Sequence, residues 1–266
     1  MKIGKATVPR TAICTSDEHT IVIRGRDLSK ELIGKISFVD HFFLLLTGQM
    51  PTAGQAAVLN ATLVAIAEHG LVPSVQAARM TFAAAPEALQ GAVAAGILGC
   101  CSVILGASET AGRMFVEIDE EAKQRGGDLR EAARAIVTGR RERKQAIPGY
   151  GHPEHKERDR RVDALFQLSQ KVGGGQHFVA IANIVEELIP GIVGKDLRLN
   201  VSAAIPAVLL GVGFPVGALK GVPILARTAS LIAHLNEEMS DPIGFALSYQ
   251  ATREFEYTGA MPEAKK

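Results

Sequence analysis

Cysteine is scarce in this chain of 266 residues, with only Cys14, Cys100 and Cys101 present. The count is odd, adjacent cysteines rarely pair with each other, and no zinc-type spacing exists, so neither a disulfide framework nor a structural zinc site is expected. The three read as reduced thiols filling a core, which suits the cytoplasm. Charge of one sign is lacking too: 29 Lys and Arg face 28 Asp and Glu, a net +1, and nothing points to a nucleic-acid partner. The most apolar run, Ala92 to Leu105, is shorter than the roughly 20 residues that cross a bilayer as a helix. No apolar signal core follows Met1-Lys2-Ile3-Gly4-Lys5. The expectation is a soluble cytoplasmic protein with no membrane partner.

Strand patterns are also rare. Thr11–Cys14 and Thr20–Ile23 read as a short hairpin around Ser16-Asp17-Glu18-His19; the remainder is helical. Hydrophobic content of 47% against 21% charged describes a globular chain, long enough for one large domain or a large-plus-small pair. A buried helix is expected over Phe38–Leu46, ended near Gly48, and another is capped by Thr52 and runs through Ala67. Pro86 suits the first turn of an alanine-rich helix reaching Leu105, whose small residues permit close packing in a core. Further helices are expected at Ser108–Arg125, after a cap at Asp128, and near 155–172, 177–188, 201–210 and 219–239. Gly173-Gly174-Gly175 reads as a flexible joint, and the tail from Gly259 as frayed.

The most informative stretch is Ala146-Ile147-Pro148-Gly149-Tyr150-Gly151-His152, with Arg161 nine residues further on. Two glycines let this backbone bend tightly and approach a ligand. Lys156 and Arg158, in the charged segment that leads to Arg161, add cations fit for phosphate or carboxylate. Arg140, Arg141, Arg143 and Lys144 read either as a solvated helix end or as a phosphate contact. A metal site at His152-Pro153-Glu154-His155 is not favoured, because Pro153 intervenes and no third ligand has convincing spacing. Gly211-Val212-Gly213-Phe214-Pro215 fails as a dinucleotide loop for want of a third glycine.

These motifs fall in a familiar order. Arg24-Gly25-Arg26-Asp27, the leucine-rich helix ending Gly48-Gln49-Met50-Pro51-Thr52, Glu68-His69-Gly70, His152, Arg161, Asn200-Val201-Ser202, Arg227 and Ala233-His234-Leu235-Asn236-Glu237 resemble the citrate synthase superfamily. In length and motif detail the chain is similar to the citryl-CoA lyases and to the lyase module of ATP-citrate lyase. The resemblance implies an all-α fold with a short N-terminal β-hairpin. A small helical domain, residues 108–207, would be inserted into a large one made of 1–107 and 208–266, with the active site in the cleft between them. It implies a homodimer or higher homo-oligomer and no tightly bound cofactor. Coenzyme A enters as part of a CoA ester, alongside an oxo-acid or tricarboxylate.

By the same resemblance, His152 contacts the hydroxyl that becomes the oxo group, since imidazole accepts and donates protons near neutral pH. Arg161 and Arg227 hold carboxylates through paired guanidinium hydrogen bonds, and His69 keeps the oxo-acid half in register. On pattern alone His69 reads equally as a satisfied core histidine. The loop 146–151 would carry the CoA moiety, with its phosphates near Lys144, Lys156 or Arg158. Two positions depart from the pattern. Ile104 stands where the synthases have a second histidine, a change that is compatible with cleavage. Ser202 replaces the aspartate that moves the proton at the acetyl carbon, and Glu109 and Glu154 are the candidate substitutes. The expected activity is therefore retro-aldol cleavage of citryl-CoA or a close relative. The alternative is a divergent, non-catalytic binder of CoA esters or carboxylates.

Overall fold

The computed structural model describes residues 9–100, 105–151 and 159–262. His152, Glu154, Lys156, Arg158 and Ile104 lie outside the described residues, as do Cys101 and the basic N-terminus. The protein is mostly helical with a small N-terminal sheet, and backbone packing divides it into two compact units. One comprises residues 1–65 and 107–220, the other 66–106 and 221–266. Within the first unit the N-terminal elements pack on the segment after residue 107. Gln55 Nε2 donates to the Val212 carbonyl at 2.9 Å, and the Phe43 and Phe214 rings meet at 6.1 Å.

The first unit opens with three antiparallel strands, β1 (Cys14–Ser16), β2 (Ile21–Ile23) and β3 (Arg26–Asp27). Asp17 closes the β1–β2 turn by accepting from the backbone N–H groups of His19 and Thr20 at 2.8 and 2.7 Å. The expected hairpin is thus present, shifted along the chain, with a third strand that its two residues were too few to announce. The Arg24-Gly25 turn has a job in this sheet. Arg24 Nε and Nη2 donate to the Leu45 carbonyl at 3.0 and 2.6 Å, tying the turn to the C-terminal end of α1 (Phe38–Thr47). That helix starts with a reciprocal capping box between Ser37 and Asp40. The next, α2 (Ala53–Ala67), starts where Thr52 Oγ1 accepts from Gln55 N–H while the Gln55 side chain accepts from Thr52 N–H.

The second unit begins with a helix that was not expected, α3 (Pro73–Ala84). It is followed by α4 (Leu89–Cys100), which answers to the alanine-rich helix expected from Pro86 but starts three residues later. Pro86 lies between them. The residue before it, Ala85, has φ −144° and ψ 72°, because a proline pushes its predecessor out of the helical region. Both helices pack on α10 (Gly221–Ser240), and α11 (Gly244–Arg253) packs on α3. Val75, Ala78, Phe82, Ala92, Leu231 and Leu235 form the core. Arg79 on α3 is buried beside it, its Nε 2.6 Å from Glu238. A buried charge of this kind is tolerable only when fully paired. Glu237 and the Asp241 carbonyl accept its other donors, and Glu238 also accepts from the N–H groups of Ile243 and Gly244.

The rest of the first unit is helical: α5 (Gly106–Gln124), α6 (Leu129–Glu142), α7 (Arg160–Lys171), α8 (Gln176–Val193) and α9 (Val201–Gly211). Ala111, Met114, Phe115, Ile118 and Ala122 recur at helical spacing on α5 and are buried. Asp128 caps α6 as expected, accepting from the N–H groups of Arg130 and Glu131. The centre of the unit is α9, nearly all of it buried, with α7 and α8 against it. Its last residue, Gly211, touches Gly175 at the start of α8 so closely that a Cβ on Gly211 would lie 2.0 Å from the Gly175 Cα. Two stretches, Gln176–Val193 and Val216–Ser240, have the length and apolar composition of a membrane span. The first buries Val179, Ile181, Ala182, Val185, Leu188 and Ile189, and the second carries Arg227, His234, Glu237 and Glu238.

Candidate active site

The described residues singled out in the sequence fall into two groups, one in each unit. In the first unit the glycine loop is built onto the N-terminus of α9. Gly149 has φ +85°, and a Cβ there would fall 2.5 Å from the Ala203 Cβ and 2.8 Å from its backbone nitrogen. Only glycine fits. The Gly149 carbonyl accepts from Asn200 N–H at 3.0 Å, Gly151 N–H donates to the Arg198 carbonyl at 2.7 Å, and Tyr150 forms a bridge with Leu199. The Tyr150 hydroxyl, buried, donates to the Ala182 carbonyl on α8 at 2.7 Å. Asn200 completes the joint: its amide donates to the Gly151 carbonyl at 2.7 Å, and its Oδ1 caps α9 by accepting from Ser202 N–H at 2.9 Å. The loop therefore spends its inner side on α9. On the outer side Ala146 is exposed and Pro148 half-buried.

Ser202, half-buried in the first turn of α9, is thereby placed against this loop. A described carboxylate at the start of α9 is Asp159. It caps α7 and accepts from Val201 N–H, next to Ser202. It also grips Arg161 with both oxygens, at 2.7 Å to Nη2 and 3.0 Å to Nε. Burial pushes this carboxyl up, but the bonds from Arg161 and the backbone outweigh burial and hold it below its ordinary range. Arg161 Nη1 faces the Ala65 carbonyl at 3.4 Å. The expected carboxylate clamp is thus already engaged by a carboxylate of its own chain. Asp159 escaped the sequence reading, although Asp-x-Arg at a helix start is the pattern of an N-cap that can also pair with the arginine side chain.

Lys144, exposed, follows α6 with a left-handed φ of 56°. Its neighbours in the basic run differ: Arg140 reaches Glu117 at 3.4 Å, while Arg141 and Arg143 are exposed. Glu109, a candidate proton carrier, is paired with Arg113 at 2.8 Å along α5.

In the second unit His69 follows the end of α2. Its neighbour Glu68 organises the turn. Oε1 accepts from the N–H groups of His69 and Gly70 at 2.9 and 2.5 Å. Oε2 accepts from the Ser230 hydroxyl and from His234 Nε2, the latter at 3.0 Å. Partial burial raises the Glu68 carboxyl, but the bonds from Ser230, His234 and Gly70 dominate and bring it down to about 2. Ser230 and His234 share a face of α10 with Arg227, at spacings of three and four residues. Arg227 is buried on that face.

A mostly helical chain that presents a glycine loop at one helix N-terminus and an arginine-histidine face on another belongs to a recognisable class. Residues 53–244 match the family model of the citrate synthase C-terminal domain, and the chain belongs to the citrate synthase family. Among curated relatives, the citrate synthase of Synechocystis sp. is 29% identical over 213 residues, 77% of this chain and 51% of that protein. The 2-methylcitrate synthase of Mycobacterium tuberculosis is 24% identical over 208 residues, 76% and 50%. The chain spans about half the length of these relatives. Among solved structures, the citryl-CoA lyase of Hydrogenobacter thermophilus is 33% identical, with TM-score 0.84 and 98% of both chains covered. The ATP citrate lyase of Methanothrix soehngenii, solved with citrate and coenzyme A, shares the fold over 98% of this chain and 43% of its own, at 23% identity and TM-score 0.77.

Proposed function

We propose that the protein is a carbon–carbon lyase acting on a CoA thioester, cleaving citryl-CoA or a close relative to acetyl-CoA, or another acyl-CoA, and an oxo-acid. The observation that carries this reading is the likeness to a citryl-CoA lyase over 98% of both chains, where the curated synthases match about half of their own length. Cleavage is the reverse of the synthase carbon–carbon step. A base takes the proton of the tertiary hydroxyl, the bond to the CH2 of the acyl-CoA breaks, and the enolate that departs is protonated on carbon. In this reading His152 takes the hydroxyl proton, His69 and Arg227 hold the oxo-acid half, and Arg161 exchanges part of its hold on Asp159 for a substrate carboxylate. The outer side of loop 146–151 receives the CoA moiety, with Lys144, Lys156 and Arg158 near its phosphates. Residues 108–207 act as the small domain, and a homo-oligomer in the cytoplasm is the assembled form.

A second reading rests on Ser202. A serine hydroxyl does not ionise near neutral pH, and Asp159 has its lone pairs committed, so no described carboxylate beside Ser202 is free to move the acetyl proton. That favours a protein that binds CoA esters without turning them over, or one whose acyl half differs from acetyl. Incubation with citryl-, methylcitryl- and citramalyl-CoA, followed by mass-spectrometric detection of oxo-acid, separates the readings. Oxo-acid from any of the three supports the lyase. Tight binding of the esters with no oxo-acid from any supports the binder.

A further inference from the structure

Glu68 makes four bonds with one carboxylate, and their directions differ. Oε1 accepts two successive backbone N–H groups and so fixes the His69-Gly70 turn; Gly70 takes a left-handed φ of 70° to present its own. Oε2 reaches the α10 face, where it accepts from Ser230 and His234. That face also carries Arg227, one turn before Ser230, buried within the same unit. The backbone of His69 and the root of Arg227 are therefore referred to one frame through a single side chain. His234 is the more buried partner, with 16% of its side chain exposed against 49% for Glu68. The exposed carboxylate thus reaches in to meet a ring that the packing of α10 already holds.

We infer that Glu68 is a positioning residue, setting the His69 turn relative to Arg227 so that the two can grip one oxo-acid. This rests on the lyase reading above, in which His69 and Arg227 hold that half of the substrate. A residue that merely supported the fold would weaken all ligands together. A positioning residue weakens the oxo-acid alone, because the proposed CoA loop lies in the other unit.

Calorimetric titration with oxaloacetate and, separately, with CoA tests this on the full chain. Glu68→Ala removes all four bonds, whereas Ser230→Ala with His234→Phe removes only the bonds to α10. Both variants are expected to lose at least tenfold in oxaloacetate affinity while CoA affinity stays within twofold. If Glu68→Ala does not fold, the double variant carries the test, since it leaves the turn bonds intact. Unchanged oxaloacetate affinity in the variants overturns the inference, and so does an equal loss for both ligands. Wild-type protein that binds CoA but no oxaloacetate overturns the parent reading, and this inference with it.

Discussion

Asp159 and Arg161 form a bidentate pair two residues apart, with 2.7 Å between Oδ2 and Nη2, and the same carboxylate takes the Val201 N–H at the start of α9. The arginine that resembles a substrate clamp is thus anchored, through its own neighbour, to the helix that carries Ser202. Its planar fork is held in one orientation by that pair, so in the proposed clamp a substrate carboxylate has to displace part of it.

Asp159→Asn should destabilise the protein by about 1.5–3 kcal/mol, the range for hydrogen bonds to charged groups. The carboxyl is held below its ordinary value of 3.8, so its contribution is fully present above that pH and is lost as pH falls through the folded value. Urea denaturation at pH 7 and at progressively lower pH checks this. The wild-type and variant stabilities should converge on the acid side.

Arg161→Lys keeps the charge but not the fork. Citrate-type ligands should lose about 2–5 kcal/mol of binding, while CoA affinity is nearly unchanged. Titration with each ligand reads the difference. Equal losses would mean that the substitution had disturbed the first unit rather than a clamp.

Gly149→Ala forces a Cβ to 2.5 Å from Ala203 at a left-handed φ of 85°. Overpacking and the backbone penalty together should cost on the order of 2–5 kcal/mol, read as a lowered thermal midpoint. Ala146→Gly, at an exposed position of the same loop, should change it little.

Ser202→Asp discriminates between two accounts of the missing aspartate. If the protein is a lyase of ordinary mechanism lacking its proton carrier, cleavage of citryl-CoA should rise by roughly 10²–10⁴-fold, the range of a positioned acid or base. If Ser202 instead accommodates a substituent absent from citryl-CoA, the same change should abolish activity on the true ester. Assays on the ester panel read the sign, and no change on any ester would favour the binder.

The helical class, the capping at Thr52 and Asp128 and the tight bend at Gly149 were legible in the sequence, because each rests on local chemistry. The close approach of Gly149 to Ala203 was not, since the sequence there points to a ligand. Helix α3 was missed and the start of α4 was placed three residues early, because a proline suits the turn before a helix as well as its first turn. Glu68 and Asp159 were missed for a different reason. The partners of Glu68 on α10 lie more than 160 residues away in sequence, and Asp159 reaches Val201 across the fold. No spacing rule reports such pairs. The compact units likewise depend on contacts such as Gln55 with Val212, which link segments that sequence order keeps apart.

Helix α9 is wedged at both ends by backbone that leaves no room for a side chain, at Gly149 against Ala203 and at Gly175 against Gly211. These two close fits set where the first turn of the helix stands, much as a chuck sets a tool bit, so position 202 is held in one place whatever side chain it carries. In the proposed lyase, exchange there would change the chemistry offered while leaving the support of the helix as it is.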